Sequence, residues 1–373
     1  MQVKLNYSDR SHLKSLDGIR GLAILLVLFY HNFYFLDPAR IGWIGVDLFF
    51  VLSGFLITRI LLRTKEEKNY FKNFYARRTL RIFPLYFFVL ALLFIIIPLI
   101  SSDFAENYSV LTENQIWFWF YAQNIFFFIK NTFIVSPGSD IINHFWSLSI
   151  EEHFYLFWPF IIFFFNKKNI IRVSLVFILI AKLLSFYFVY NEMSWVKTYA
   201  FTFTRIDELI VGSMLAVFLL NDKAKRFIEK YVLLIMAISF AIILVFVFKT
   251  RRLDSINFIN NSYGLMFLVN AVFFSCLIIL VMTGKGILHR IFIFSPLRFL
   301  GLISYGLYVY HYPVKVLMES TLTRWFAGID MHEKLALFLI ATIELAGAII
   351  VSYVSFRLLE KPFLKLKRLF ANE

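Results

Sequence analysis

Arg20 and His31 stand eleven positions apart in one apolar segment, residues 16–31. Eleven positions are almost three α-helical turns, so in a helix both side chains share a face. They lie roughly 16 Å apart along the axis at about 1.5 Å per residue. That is about half of a hydrocarbon core roughly 30 Å thick. A guanidinium at one membrane edge thus aligns with a titratable imidazole further along the span. Imidazole is the side chain best matched to proton transfer near neutral pH. A lone membrane histidine can equally be a bundle residue bonded to a carbonyl, but the alignment with Arg20 favours chemistry.

Other groups strengthen that reading. Arg78 and Arg81 are three apart and share a helix face. Guanidinium forks there suit a phosphate-rich ligand, although a basic cluster before an apolar run also sets topology. Pro84 is expected in the first turn of the helix that follows. Glu151 and Glu152 occur early in another apolar run, with His144 and His153 beside them. Two adjacent carboxylates cannot both face lipid, so a partner inside a bundle is expected. Arg205, Asp207 and Glu208 form a third group, readable as a buried ion pair or as a substrate contact. Asp47 and the run Ser304, Tyr305, Tyr308 and His311 add polar groups in two further segments. Asp17, Asp47, Glu152, Arg205, Asp207, Tyr305 and His311 are together expected to support a polar cavity.

The elements that must position these groups are membrane helices. The chain is 60% hydrophobic, with 48 Phe among its 373 residues, and its mean hydropathy is +0.73. Soluble domains average about 45–50% apolar residues. Long stretches, including residues 82–102, 231–248 and 255–284, carry no charge at all. They read as spans. The fold class expected is an all-α integral membrane protein of ten spans: 19–36, 43–62, 82–101, 145–165, 171–190, 202–220, 231–248, 262–283, 297–318 and 335–357.

Segment 116–135 is an eleventh candidate. If it does not cross and both termini are cytoplasmic, most of the 38 lysines and arginines fall on the inner side. If it crosses, that bias largely vanishes. The positive-inside rule therefore favours ten spans, with 116–135 an interfacial or re-entrant piece on the outer side. The charge of +14 then reflects inner loops and requires no nucleic acid. Those loops could also attract anionic lipid or phosphates. The polar first nineteen residues and the lack of a cleavage site after 22–36 give no sign of a removable leader. The single cysteine, Cys276, excludes an intramolecular disulfide, and no cluster with metal-site spacing is visible. No metal and no permanently bound cofactor is expected.

Six motifs in order resemble the acyltransferase-3 family of membrane O-acyltransferases, which includes polysaccharide and lipopolysaccharide O-acetylases. They are LDGIRG from Leu16 with His31, GVDLFFVLSGFLI from Gly45, FYARRTLRIFP from Phe74, WSLSIEEHFYL from Trp146, RIDELIVG from Arg205 and ISYGLYVYHYP from Ile303. The resemblance runs from about residue 12 to 363, so residues 1–373 read as one membrane domain.

It implies a multi-pass protein of the bacterial cytoplasmic membrane. The donor would be cytoplasmic acyl-CoA, usually acetyl-CoA, and the acceptor a hydroxyl on an envelope glycan or glycolipid. It also implies that His31 is the essential histidine, that Arg20, Arg78 and Arg81 serve the donor, and that Glu151 belongs to the catalytic motif. Glu151 is expected to orient His31 or a neighbouring polar group. The family's usual Gln after the two glutamates is His153 here, which leaves that position without an assigned role. Many relatives carry a C-terminal hydrolase-like domain; none is visible here, so a relayed transfer would call for a separate partner. The residues alone also admit a transporter or flippase, or a lipid-binding scaffold. No inverted repeat favours transport, and a scaffold leaves the intramembrane Arg, His and Glu unexplained.

Overall fold

The computed structural model describes residues 10–100, 108–134, 139–250, 253–282, 286–329 and 331–370, and every regular element among them is helical. Lys4, Arg251, Arg252 and Lys285, which enter the charge count above, lie outside the described residues. The long apolar runs become α1 (Arg10–Asn32), α2 (Ile44–Thr64) and α3 (Tyr70–Ala91), the last continuing through a π turn to Ile100. Three short helices follow, α4 (Ser109–Glu113), α5 (Gln115–Trp119) and α6 (Gln123–Lys130). Beyond them come α7 (Trp146–Phe164), α8 (Lys167–Tyr190), α9 (Trp195–Ala200), α10 (Thr202–Phe218) and α11 (Asp222–Thr250). The remainder are α12 (Ser255–Ser262), α13 (Leu265–Met282), α14 (Gly286–Phe292), α15 (Ser295–Leu302), α16 (Ser304–Ala327), α17 (Glu333–Ser355) and α18 (Lys361–Leu366).

Among the described residues, six helices, in α2, α3, α8, α11, α13 and α17, are long and apolar enough to cross a membrane. The other long ones are α1, α7, α10 and α16. They fall short because they carry the ionisable residues singled out above, and α10 is also only 17 residues long. Three of these four, α1, α7 and α16, join α2 and α3 in lining the site described below. Around them, α8 and α11 turn Leu175, Leu179, Leu183, Leu233, Val245 and Phe248 outward. Outward apolar faces of that extent are stable in lipid and not in water.

Several boundaries differ from those expected. Helix α3 starts at Tyr70, so Arg78, Arg81 and Pro84 lie inside it rather than at its opening. Arg, Lys and Ala are good helix formers, and the helix extends past the apolar run. Span 297–318 is broken at Ile303 into α15 and α16. Segment 116–135, whose last residue lies outside the described residues, forms helical pieces of five and eight residues, at most about 12 Å long. None of these pieces is long enough to cross.

Helix α2 is central and packs most closely on α10. A Cβ at Gly54 would stand 1.8 Å from the Leu209 carbonyl oxygen, and one at Gly212 would stand 2.0 Å from that of Val51. The two backbones therefore touch, with the Ser213 hydroxyl donating to the Gly54 carbonyl at 3.2 Å. Small residues and hydroxyls are the usual glue between membrane helices. Gly212→Val is expected to force α2 and α10 apart at a cost of about 1–3 kcal/mol or more. An unchanged thermal midpoint in detergent would contradict this backbone contact.

Candidate active site between two cavities

Helix α1 runs unbroken from Arg10 to Asn32 and carries Arg20 and His31 to two different cavities. The first encloses about 290 Å³ and is lined by Arg20, Arg78, Arg81, Glu151, Glu152 and Tyr305 among apolar residues of α2. The second, about 410 Å³, is lined by His31, His144 and the aromatic rings of Tyr30, Trp43, Trp146, Trp195, Tyr199 and Tyr312. Val46 and Tyr308 border both. The Tyr308 hydroxyl donates to the His144 carbonyl at 2.8 Å and meets the Ser147 hydroxyl, which fixes the partition.

In the arginine-lined cavity, Arg20 pairs with Asp17 at 2.8 Å. Arg78 lies over the Phe74 and Tyr155 rings. Glu151 accepts from the Ser53 hydroxyl at 2.5 Å, and Ser53 also meets Tyr155 at 3.1 Å. Of the two alternatives for Glu151, its hydrogen bond goes to the neighbouring polar group. It lines the arginine cavity rather than the one that holds His31. Glu152 lines the same cavity, and its buried Oε1 has no hydrogen-bond partner among the described residues. The Tyr305 hydroxyl donates to the Ile82 carbonyl at 2.7 Å, joining α16 to α3. Lys367, just past α18, lies in the field of Arg20, Arg77, Arg78 and Arg81. Cations gathered this closely repel one another, and a polyanionic ligand relieves that repulsion.

Around His31, the His311 ring centroid lies at 5.0 Å, that of Tyr312 at 5.2 Å and that of His144 at 6.5 Å. Lys315 donates to the His31 carbonyl at 2.7 Å, satisfying one of the carbonyls a helix leaves open at its C-terminus. It holds the backbone of His31, whose ring has no hydrogen-bond partner among the described residues. Asn32 is held in turn by Glu344 of α17 at 3.2 Å.

Of the seven groups expected to share a polar cavity, only Glu152 and Tyr305 line one. Asp17 pairs with Arg20, and His311 packs beside His31 without lining either cavity. Asp47, Arg205 and Asp207 stand apart from both. Arg205 donates to Asp47 at 2.6 Å and to Glu208 at 2.8 Å, and Asn270 donates to Asp47 at 2.8 Å. Arg205 also lies 3.8 Å above the Phe267 ring. Asp207 pairs with Lys182 at 2.8 Å. All of these carboxylates and Arg205 are fully buried, so their partners are one another and none of them is turned toward a ligand. The network holds α2, α8, α10 and α13 together behind Trp146 and Tyr199, which form the wall of the histidine cavity. His153 faces Thr202, its Nδ1 2.8 Å from that hydroxyl, and Thr202 accepts from Asn124. Its role is to tie α7, α10 and α6 together.

The residues not singled out as site groups are Ser53, Ser147, Tyr155, Lys315 and Lys367; Tyr308 stands out in the sequence only as a polar group of its helix. Of these, Lys315 carried the clearest signal, because an ionisable residue within a span is functional by default.

The chain matches the model of the "Acyltransferase domain" family over residues 13–357. It belongs to the acyltransferase-3 family. That range takes in every residue that lines the two cavities; Lys367 lies beyond it. The chain is 30% identical over 98% of its length to "Peptidoglycan O-acetyltransferase OatA" of Listeria monocytogenes. It is 29% identical over 96% of its length to "O-acetyltransferase OatA" of Staphylococcus aureus. It spans 58% of the length of each of these relatives. No solved structure matches the chain.

Proposed function

We propose that this chain is a membrane O-acetyltransferase of the bacterial cytoplasmic membrane, passing acetyl from cytoplasmic acetyl-CoA to a hydroxyl of an envelope glycan. The observation that carries the reading is the pair of cavities that meet at Tyr308, with arginines in one, His31 in the other and α1 running between them. In this reading the ten long helices are ten spans, with both termini cytoplasmic and α4–α6 on the outer side. The arginine cavity then faces the cytoplasm and the histidine cavity the outside. The family and the names of the relatives favour acetyl as the group and peptidoglycan as the glycan.

The chemistry follows from the two linings. A cavity of about 290 Å³ is at the small end of ligand pockets. It suits the acylated arm of CoA, with Arg78 and Arg81 of its lining, and Lys367 in their field, as the cations for its phosphates. The aromatic histidine cavity offers ring faces to a sugar, and His31 acts there as general base on the acceptor hydroxyl or as a transient acyl carrier. Glu151 orders Ser53 and Tyr155 along the path of the thioester. Replacing Arg78 and Arg81 together with alanine is expected to raise KM for acetyl-CoA about tenfold or more, with a smaller change in kcat. Steady-state kinetics in detergent tests this, and an unchanged KM would remove the donor from that cavity.

A further inference from the structure

His31 needs somewhere to send the proton it removes from a hydroxyl. Three imidazoles meet at that end of the bundle: His31 of α1, His144 of the 3₁₀ turn Ser139–Phe145, and His311 of α16. The His311 centroid lies 5.0 Å from that of His31 and 4.7 Å from that of His144.

Two of the three tautomers are fixed by the backbone. His311 Nδ1 is 2.8 Å from the Tyr308 carbonyl oxygen and 3.1 Å from that of Leu307. His144 Nε2 is 2.9 Å from the same Tyr308 oxygen. A carbonyl only accepts, so each of these nitrogens carries its hydrogen. Pro313, inside α16, lacks the N–H that would bond the Val309 carbonyl. The ladder is thus open at Val309, one residue beyond the Tyr308 carbonyl that both imidazoles address.

His311 Nε2 and His144 Nδ1 are then lone pairs, and both are buried without a hydrogen-bond partner among the described residues. His311 is 1% exposed. A buried acceptor of this kind calls for a donor that arrives in function. His31 is the ring beside His311, and among the described residues neither of its nitrogens has a hydrogen-bond partner. His144 stands further from it, at 6.5 Å.

Resting on the acyl-transfer reading, we propose that His311 is a positioning residue that relays the proton of His31. The acceptor O–H proton passes to one nitrogen of His31 as the oxygen bonds the acetyl carbon. The N–H on the other nitrogen of His31 passes to Nε2 of His311. His31 stays neutral, and the His311 cation is held by the Tyr308 and Leu307 carbonyls. The C–S bond breaks with its electron pair on sulfur. The proton returns from His311 to His31, and His31 gives its own to the thiolate. The products are the acetyl ester and CoA thiol, and both imidazoles return to their starting forms.

The test uses the full purified chain with radiolabelled acetyl-CoA and soluble peptidoglycan fragments. His311→Asn retains an N–H for the carbonyls of α16 but offers no titratable lone pair. Its kcat is expected to fall about 10²-fold or more, with KM for acetyl-CoA within about twofold and elution unchanged. A kcat equal to that of the wild type would overturn the relay. A second readout needs no variant: rates in mixtures of H₂O and D₂O should give a curved proton inventory, and a straight line would also overturn it. A wild-type chain that transfers no acetyl to any fragment overturns the acyl-transfer reading and the relay with it.

Discussion

Replacing His31 by alanine is expected to abolish acetyl transfer, lowering it by about 10²–10⁴-fold, while the protein still inserts and folds. The two halves of that expectation have separate physical grounds. The imidazole is the basic group that α1 brings to the aromatic cavity, near the helix's C-terminal end and eleven residues beyond Arg20. Its ring makes contacts with His311 and Tyr312 but carries no bond that the fold depends on. What holds the end of α1 is the His31 carbonyl, which accepts from Lys315 at 2.7 Å, and that bond survives truncation of the side chain. The check is ester-linked acetate on the glycan, measured beside the elution profile of the purified variant. Normal acetylation by a well-folded His31→Ala chain would remove His31 from the reaction.

Arg205→Met is expected to have the opposite character: a loss of folded protein instead of a loss of turnover in folded protein. The substitution leaves Asp47 and Glu208 fully buried with no cation beside them. Breaking one partner of a buried ion network costs about 3–5 kcal/mol, because the remaining charge stays desolvated and uncompensated. The same network backs Trp146 and Tyr199, so the histidine cavity should collapse with it. Removing the orphaned charges as well, in Asp47→Asn with Glu208→Gln and Arg205→Met, should recover part of the loss. Thermal unfolding followed by size-exclusion chromatography distinguishes the two. A monodisperse Arg205→Met chain with unaltered stability would mean that the network is not structural.

The site was legible in the sequence where helix periodicity alone positions a residue. Arg20 and His31 share α1, so their alignment needed only the rise per residue. Arg78 and Arg81 needed only the spacing of three. Six of the long helices among the described residues were legible as apolar runs, but their ends were not. Helix α3 begins at Tyr70 because basic and aromatic residues sustain a helix outside the apolar run, which placed Pro84 inside it instead of at its start. What depends on contacts between helices was hidden. Arg205 and Asp47 are 158 positions apart and meet at 2.6 Å. Read singly, each is an expensive intramembrane charge that suggests a substrate; read together, they neutralise each other. His144, Tyr308 and Lys315 reach His31 only through the packing of α16 against α1 and the 3₁₀ turn at 139–145. Glu151 fell between the two cases: its burial was foreseeable, and its hydrogen bond to Ser53 was not.

The central claim is that one chain carries acetyl from a donor on the cytoplasmic side to a hydroxyl on the other. It is tested most directly by reconstituting the chain in sealed liposomes, with radiolabelled acetyl-CoA confined to the lumen and soluble peptidoglycan fragments outside. The account predicts base-labile acetyl ester on the external fragments, formed in step with free CoA inside and lost in the His31→Ala chain. Fragments that cross the membrane without CoA release, or CoA release with no ester on the fragments, would contradict it.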